Sequence, residues 1–436
     1  MTLLALTTSL PQSFNLFFIE PMLRGIKIRL YPNKEQASKL NQVLGCYRFV
    51  YNQCLDRKQM EYNENGNNLG LTELSKWFHG TLLKDEQYVW LKEQNTKVMK
   101  QSIKQMLTAY KNFFKQHKGF PKFKSKKDKQ SALFPFEAIS KRNTFDERKI
   151  TLTQDLKDIR FRCSDLYYKR LQDYKDKIRS ATVSRTKSGN YFLSILVDIP
   201  QEELVKLSHT NQSVGIDLGV KDFVITSDGE VFENKHFFKK QGRKVKKLQR
   251  QLSRKVKGSN NRNKQRIRLA KAFERLTNQK EAYIHYIVNC LLSDYDLVCM
   301  ENLNVSGMLK NHKLAKAIQE VGLYRFRQVL TDKAMLNDKQ VVFVNRFYPS
   351  SKTCHKCGYV KRDLTLADRE WVCPICGEHH DRDVNAAMNI LSEGIVIIGS
   401  RTAEFTLAEN PTVDDRSEMS LKSGGSLKQE GKTDFY

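Results

Sequence analysis

"SVGIDLGVKDFVITSDGEVFENK", residues 213–235, holds three short apolar runs separated by turn residues, and each reads as a strand: "SVGIDLGV", "DFVITSDG" and "EVFENK". Two long basic stretches follow, roughly 239–257 and 262–292, and both carry helical periodicity. In the first, Val245, Leu248, Leu252 and Val256 make an apolar stripe, while Lys246, Lys247, Arg250 and Arg254 hold the opposite face. A strand "YDLVCME" (295–301), a helix over about 313–337, a strand "QVVFVN" (340–345) and a helix after Asp383 complete the segment. The order βββαβαβα predicts an α/β domain of ribonuclease H arrangement.

That arrangement gives meaning to three acids. Asp217 ends the run "SVGI" and Glu301 ends the run "LVCM", so both stand at the carboxyl ends of buried strands, where a lone charge is costly. Taken singly, each reads as a strand-end residue turning into a loop, and Asp383 as a helix N-cap. Together they read differently. The first and fourth strands of the fold are adjacent and parallel, which brings Asp217 beside Glu301, and the last helix can carry Asp383 over both. Three converging carboxylates repel one another unless cations lie between them. Hard oxygen donors select Mg²⁺ or Mn²⁺, and such ions can activate water and steady the leaving oxygen of a phosphodiester.

Close to Asp383 stand two CxxC pairs, Cys354/Cys357 and Cys373/Cys376, with fifteen residues between them. Each pair can aim two sulfurs at one ion, so the expectation is a structural zinc ribbon held by four thiolates. A redox pair is the competing reading, and His355, His379 and His380 are near enough to compete as ligands. Four protein ligands leave no open coordination position, which makes the zinc structural.

The chain has 436 residues with 75 Lys plus Arg against 48 Asp plus Glu, a net charge of +27 that answers a polyanion better than it answers solubility. No apolar run approaches the ~20 residues that span a bilayer, so no membrane partner is expected. Nine cysteines, an odd number, are not spaced as a disulfide framework, which suits a reducing, cytoplasmic location. Residues 1–21 read as an extension upstream of a strand at Met22, where Ile26, Ile28 and Leu30 alternate with Lys27 and Arg29. Residues 34–117 read mostly as helix with a break at "NENGNNLG". "KGFPKFKSKKDK" interleaves Phe120 and Phe123 with Lys122, Lys124, Lys126 and Lys127, the pattern of a loop that tracks phosphates and stacks bases. Strands are expected at "KITLT" and "DIRFRC", and a hairpin over "SATVSRTKSGNYFLSILVDI".

The motifs "IKIRLYPNKEQ", "GFPKFKSKK", "GIDLGVKDF", "MENLNVSGM", "NRFYPSSKTCHKCG" and "HHDRDVNAAMNIL", in this order and covering nearly the whole chain, resemble the transposon-encoded TnpB proteins, RNA-guided DNA endonucleases related to type V CRISPR effectors. The resemblance implies a RuvC-type catalytic centre on Asp217, Glu301 and Asp383, all intact. It also implies a guide RNA from the transposon end, a double-stranded DNA target beside a short motif, and a separate transposase for movement of the element. Asn302 departs from the family in following the catalytic Glu where an acid is common. The implied organisation is an N-terminal β-barrel-like wedge domain (22–45 and 118–205) with a helical recognition insert (46–117). A RuvC-like domain (206–350 and 381–396) follows, interrupted by the zinc ribbon (351–380), and a weakly ordered tail (397–436) closes the chain. Two alternatives stay open: an RNA-guided regulator that does not cut, and a transposase that acts without RNA.

Overall fold

The computed structural model describes residues 22–135, 139, 145, 147–200, 206–365 and 367–408. The expected N-terminal extension and the last part of the expected tail lie outside them. The chain forms two compact units. One runs to Lys206 and also takes in His236–Tyr283, and the other comprises Leu207–Lys235 and the chain from Ile284 onward.

The first unit is built on a six-stranded antiparallel sheet. Its strands are β1 (Met22–Tyr31), β2 (Gln130–Phe134), β3 (Lys149–Ile150), β4 (Ile159–Arg162), β5 (Ile178–Arg185) and β6 (Tyr191–Ile199), in the spatial order β2-β5-β6-β1-β4-β3. The alternation in β1 puts Ile26, Ile28 and Leu30 on one face, 0–2% exposed. Helices α1 (Lys34–Asn65) and α3 (Thr96–Gln116) pack on this sheet through Leu40, Tyr47, Val50, Met99 and Ile103, and α2 (Leu71–Trp77) packs on α3. Asn33 starts α1 with a reciprocal capping box to Gln36, so the helix begins at Lys34 and runs through the expected domain boundary at 45/46. The basic helix Phe237–Ser253 belongs to this unit, as does the first part of the helix Asn260–Asp294. The first of these stops short of the expected 257. Arg262 donates from Nη1 to the carbonyls of Leu252 and Lys255 at 2.8 Å each, satisfying the helix end. Val256, expected on the apolar stripe, is therefore past the helix and 75% exposed.

The second unit centres on a five-stranded sheet of β7 (Ser213–Leu218), β8 (Asp222–Thr226), β9 (Val231–Glu233), β10 (Leu297–Glu301) and β11 (Gln340–Val344). The spatial order is β11-β10-β7-β8-β9, with β7, β8 and β9 an antiparallel meander and β10 parallel to both of its neighbours. Ile284, Ile287, Val288, Leu291 and Leu292, at helical spacing, are buried. The expected helix over 313–337 is broken at Gly322, a left-handed residue, into His312–Val321 and Leu323–Leu336.

The closing helix, Arg382–Ala408, lies directly on β7, β10 and β11. A Cβ at Gly215 would come within 1.9 Å of the Ala387 carbonyl oxygen, so only glycine allows this approach. The helix runs past the expected tail boundary at 397, because Ile397 and Ile398 still pack against the core formed by Cys299, Val342, Val344 and Ile390. Between β11 and this helix, β12 (Glu370–Val372) and β13 (His379–Asp381) form a small hairpin. Among the described residues no helix is long and apolar enough to cross a membrane.

Candidate active site and metal centre

The register of the parallel pair positions two of the acids. Cys299 lies opposite Gly215 and Met300 opposite Ile216, so the next positions along the two strands are Glu301 and Asp217. Both side chains then leave the sheet at its carboxyl edge. The third acid is released for the site by its neighbour. Asp381, not Asp383, caps the closing helix: its Oδ1 accepts the backbone N–H groups of Asp383 and Val384 at 2.9 Å each. The Asp383 carboxylate, freed from capping, accepts from Arg369 Nη1 at 2.7 Å on one oxygen. On the other it accepts from Arg382 Nη2 at 3.0 Å and Nε at 3.2 Å.

Asp217 feels the other two acids. Part of the residue is open to solvent, but burial of its carboxyl first, and then the charges of Glu301 and Asp383, push its pKa up to about 7. The Leu218 N–H and Arg382 oppose the rise without cancelling it. The three acids lie in one another's field and supply hard oxygen donors of the kind a divalent ion takes, although among the described residues only the four cysteines already bring their donor atoms within 4.8 Å of one another.

Glu301 is oriented through a polar ladder. Its Oε1 accepts from Ser350 Oγ at 2.5 Å, and the Ser350 carbonyl accepts from Asn389 Nδ2 at 2.8 Å. Asn389 also donates to the Thr353 carbonyl at 2.6 Å. One turn earlier Asn385 donates to the same carbonyl at 2.7 Å and accepts from the His355 N–H at 3.0 Å. Both asparagines are buried, so these bonds are obligatory. They fasten the chain leading into the cysteine cluster to the helix that carries Asp383. Sequence reasoning missed Ser350, Arg369, Arg382, Asn385 and Asn389. A usable signal was the spacing of two amides by one turn within the apolar run "NAAMNI".

The four cysteines converge, their sulfurs all within 4.8 Å of one another, with 3.6 Å between Cys354 and Cys376 and 3.5 Å between Cys357 and Cys373. A zinc with Zn–S bonds of ~2.3 Å has tetrahedral edges of about 3.8 Å, so the cluster fits one. The two knuckles are built alike. Cys354 N–H donates to the Tyr359 carbonyl and Cys373 N–H to the Glu378 carbonyl, at 2.8 Å each, and each turn closes on a left-handed glycine, Gly358 and Gly377. His380 Nε2 stands 3.1 Å from Cys354 Sγ with its ring against Trp371, the position of a donor to a ligating sulfur.

The basic residues sort by exposure. On the aromatic–basic loop Lys122, Lys126 and Lys127 point to solvent, and Phe120 and Phe123 are 46% and 53% exposed. Lys124 turns inward instead: its Nζ lies 3.7 Å over the Tyr51 ring and donates to Gln105 at 2.6 Å, and burial lowers its pKa to about 8. Lys246, Lys247 and Arg250 on the basic helix and Arg254 at its C-cap are exposed, while Val245 is buried.

Known proteins bear on this architecture. A family profile described as "Probable transposase" matches residues 194–312, one described as "Cas12f1-like, TNB domain" matches 324–390, and a "Helix-turn-helix domain" matches 22–67. A Streptomyces pristinaespiralis protein named "Putative RNA-guided DNA endonuclease" is 33% identical over 377 residues, covering 85% of this chain and 89% of its own length. The Escherichia coli K12 protein "Putative RNA-guided DNA endonuclease InsQ" is 28% identical across 91% of this chain and 98% of its own. "TnpB-like protein L79" of Acanthamoeba polyphaga mimivirus is 32% identical over 42% of this chain and 37% of its own length. In fold, the chain is similar to the protein in "Cryo-EM structure of the Cas12f1-sgRNA-target DNA complex", with a TM-score of 0.51 and 15% identity over 85% of this chain and 98% of that one. Shared residues over nearly the full length of the Streptomyces relative mean shared descent, and the chain belongs to the TnpB family.

Proposed function

We propose that this protein is an RNA-guided DNA endonuclease that cuts double-stranded DNA beside a short motif with Mg²⁺ or Mn²⁺ at Asp217, Glu301 and Asp383. The observation that carries the reading is the β7–β10 register, which makes Asp217 and Glu301 neighbours at the carboxyl edge of the sheet, with Asp383 close enough to disturb Asp217. The strand order β11-β10-β7-β8-β9 supports a ribonuclease H-like, RuvC-type domain, and the names of the Streptomyces and Escherichia relatives support the RNA-guided activity. When bound, the cation supplies an activated water and charge neutralisation at the leaving oxygen of the phosphodiester. The chain's own residues hold the geometry. Glu301 is fixed by Ser350, Asp383 is fixed by Arg369 and Arg382, and Asp217 takes or loses a proton near neutral pH according to the charge beside it.

The four thiolates hold a structural zinc in this reading, and the segment from Cys354 to Cys376 carries Arg369 to Asp383. Cys373→Ser is expected to lose the zinc, roughly one ion per chain by elemental analysis, and to loosen the ribbon locally, since metal binding and folding are coupled. Exposed Lys122, Lys126, Lys127, Lys246, Lys247, Arg250 and Arg254, with Phe120 and Phe123, are the proposed contacts to guide RNA and DNA, joined more weakly by inward-facing Lys124. A guide transcribed from the transposon end and a separate transposase complete the proposal.

The test is reprogramming. Protein purified with RNA from its own locus should cut only where the flanking motif adjoins a match to the guide, and a new guide end should move the cut. Cutting that stays at one DNA sequence, or survives removal of the RNA, would replace this reading with a protein-only transposase. Guided binding with no cutting in either metal would replace it with a regulator.

A further inference from the structure

Arg382, the residue before the third acid, reaches in two directions. Its side chain is 11% exposed, against 47% for Arg369. One edge of the guanidinium holds Asp383 Oδ1, from Nη2 at 3.0 Å and Nε at 3.2 Å. The other edge turns away from the acid: Nη1 donates to the carbonyls of Asp368 at 3.1 Å and Thr365 at 3.3 Å, on the loop between the two cysteine knuckles. The Arg382 N–H donates to the Arg369 carbonyl at 2.8 Å, so main chain and side chain are fastened to the same loop. A guanidinium is a rigid plane whose donors keep fixed directions, and the position of the loop carbonyls is thereby passed on to the carboxylate.

The loop in turn stands on the thiolate knot. Asp368 Oδ2 closes it by accepting from the Thr365 N–H and Oγ1 at 2.8 Å each. On either side of it Leu364 and Trp371 are buried against Cys354 and Cys373, and these four residues form the buried core of a ribbon whose strands, β12 and β13, have three residues each. A core that small, half of it ligand cysteines, depends on its ion for its shape.

We propose that Arg382 is a positioning residue that couples the ribbon to the nuclease acids: the zinc-held loop fixes its guanidinium, the guanidinium fixes Asp383, and the placement of Asp383 sets how tightly a divalent cation is held and how fast DNA is cut. The inference rests on the nuclease reading above. It gives the ribbon a duty besides its own folding, one that is carried by geometry rather than by charge.

The experiment uses the full chain with its copurified guide RNA and compares wild type with Arg382→Gln, Arg382→Lys and Asp368→Ala. Arg382→Gln should keep its zinc at the wild-type level and bind the guided target within about threefold of wild type in divalent-free buffer, because pairing supplies that affinity. Mn²⁺ binding is followed by electron paramagnetic resonance and counted as the binding that Asp217→Asn lacks. In Arg382→Gln it should weaken at least about tenfold, and the Mn²⁺ concentration for half-maximal single-turnover cutting should rise by a similar factor, the effect expected when the partner that orients a metal ligand is lost. Arg382→Lys keeps the charge without the planar fork and should resemble the glutamine variant. Asp368→Ala loosens the loop itself and should shift both Mn²⁺ readings in the same direction by a smaller factor. Wild-type Mn²⁺ binding and cutting in Arg382→Gln, full recovery by lysine, or no shift in Asp368→Ala would each overturn the proposal. So would loss of zinc from Arg382→Gln, since the arginine would then serve the ribbon rather than the acid. A wild-type complex whose Mn²⁺ binding depends on Arg382 but which never cuts would instead defeat the nuclease reading and leave the coupling standing.

Discussion

The two edges of the five-stranded sheet each hold a partly buried aspartate, and the protein treats them in opposite ways. At the amino edge, burial would raise the pKa of Asp296, but the Asn211 N–H, Lys339 and the Thr210 N–H outweigh it and hold the acid below its ordinary value. Those bonds measure 2.7 Å to Asn211 and 2.9 Å to Thr210, and Lys339, its side chain fully buried, pairs at 3.0 Å. At the carboxyl edge Asp217 is raised to about 7 by burial and by two like charges. One acid has its partners built in, and the other has been left wanting one. Stability has been given up at the edge that holds the proposed site, and retained where the strands begin.

Five changes would break or sharpen that contrast. The largest effect is expected from Asp217→Asn, which removes a donor of the proposed metal site and should cut the single-turnover rate about a thousandfold while sparing RNA binding. The same variant should be at least as heat-stable as wild type in chelator. Asp217 has a folded pKa above its unfolded value near 3.9, so ionising it costs the native state, and wild-type stability should fall as pH rises from about 4 toward 7. The stability advantage of Asp217→Asn should therefore grow over that range and level off above it. An advantage that shrinks with rising pH would contradict the assignment.

Asp296→Ala should act in the opposite sense, leaving Lys339 as an uncompensated buried charge and costing about 3 kcal/mol of stability, measurable by urea unfolding. Protein that stays folded should still cut. The contribution of Asp296 is present at neutral pH and is lost as pH falls through its depressed folded value. Equal stability of this variant and wild type at pH 7 would remove the contrast.

Ser350→Ala should be smaller again, about tenfold in cutting rate through a misplaced Glu301, with zinc content unchanged. If zinc is lost instead, the serine serves the ribbon rather than the acid. A smaller effect is expected at the exposed Lys126: alanine should weaken nucleic-acid binding only slightly and lower the slope of log affinity against log salt by about one. Lys124→Ala, at a side chain already turned onto Tyr51, should change that slope less.

Strands β7, β8, β9, β10 and β11 lie where apolar runs bounded by turn residues predict them, because period and punctuation are local properties. Element ends are less legible, since they depend on partners distant in sequence. The basic helix stops at Ser253 because Arg262 reaches back to its carbonyls, and the closing helix passes 397 because β10 and β11 offer Ile397 and Ile398 a core. β2 was not anticipated: "QSALF" alternates too briefly to stand out, and pairing with β5 makes it a strand.

The sequence by itself determined the order of elements, the three acids at their ends, the two cysteine knuckles and the excess of positive charge, for each is a matter of residue type and spacing along the chain. The tertiary structure alone decided which aspartate of the DRD cluster caps the helix and which faces the site. It also decided that Lys124 turns in while Lys126 turns out, and that Glu301 is held through Ser350 by amides on a helix almost forty residues away. The physical reason is that capping, desolvation and buried hydrogen bonding depend on which atoms meet in space, and identical residue types in one short motif meet different neighbours once the chain has folded.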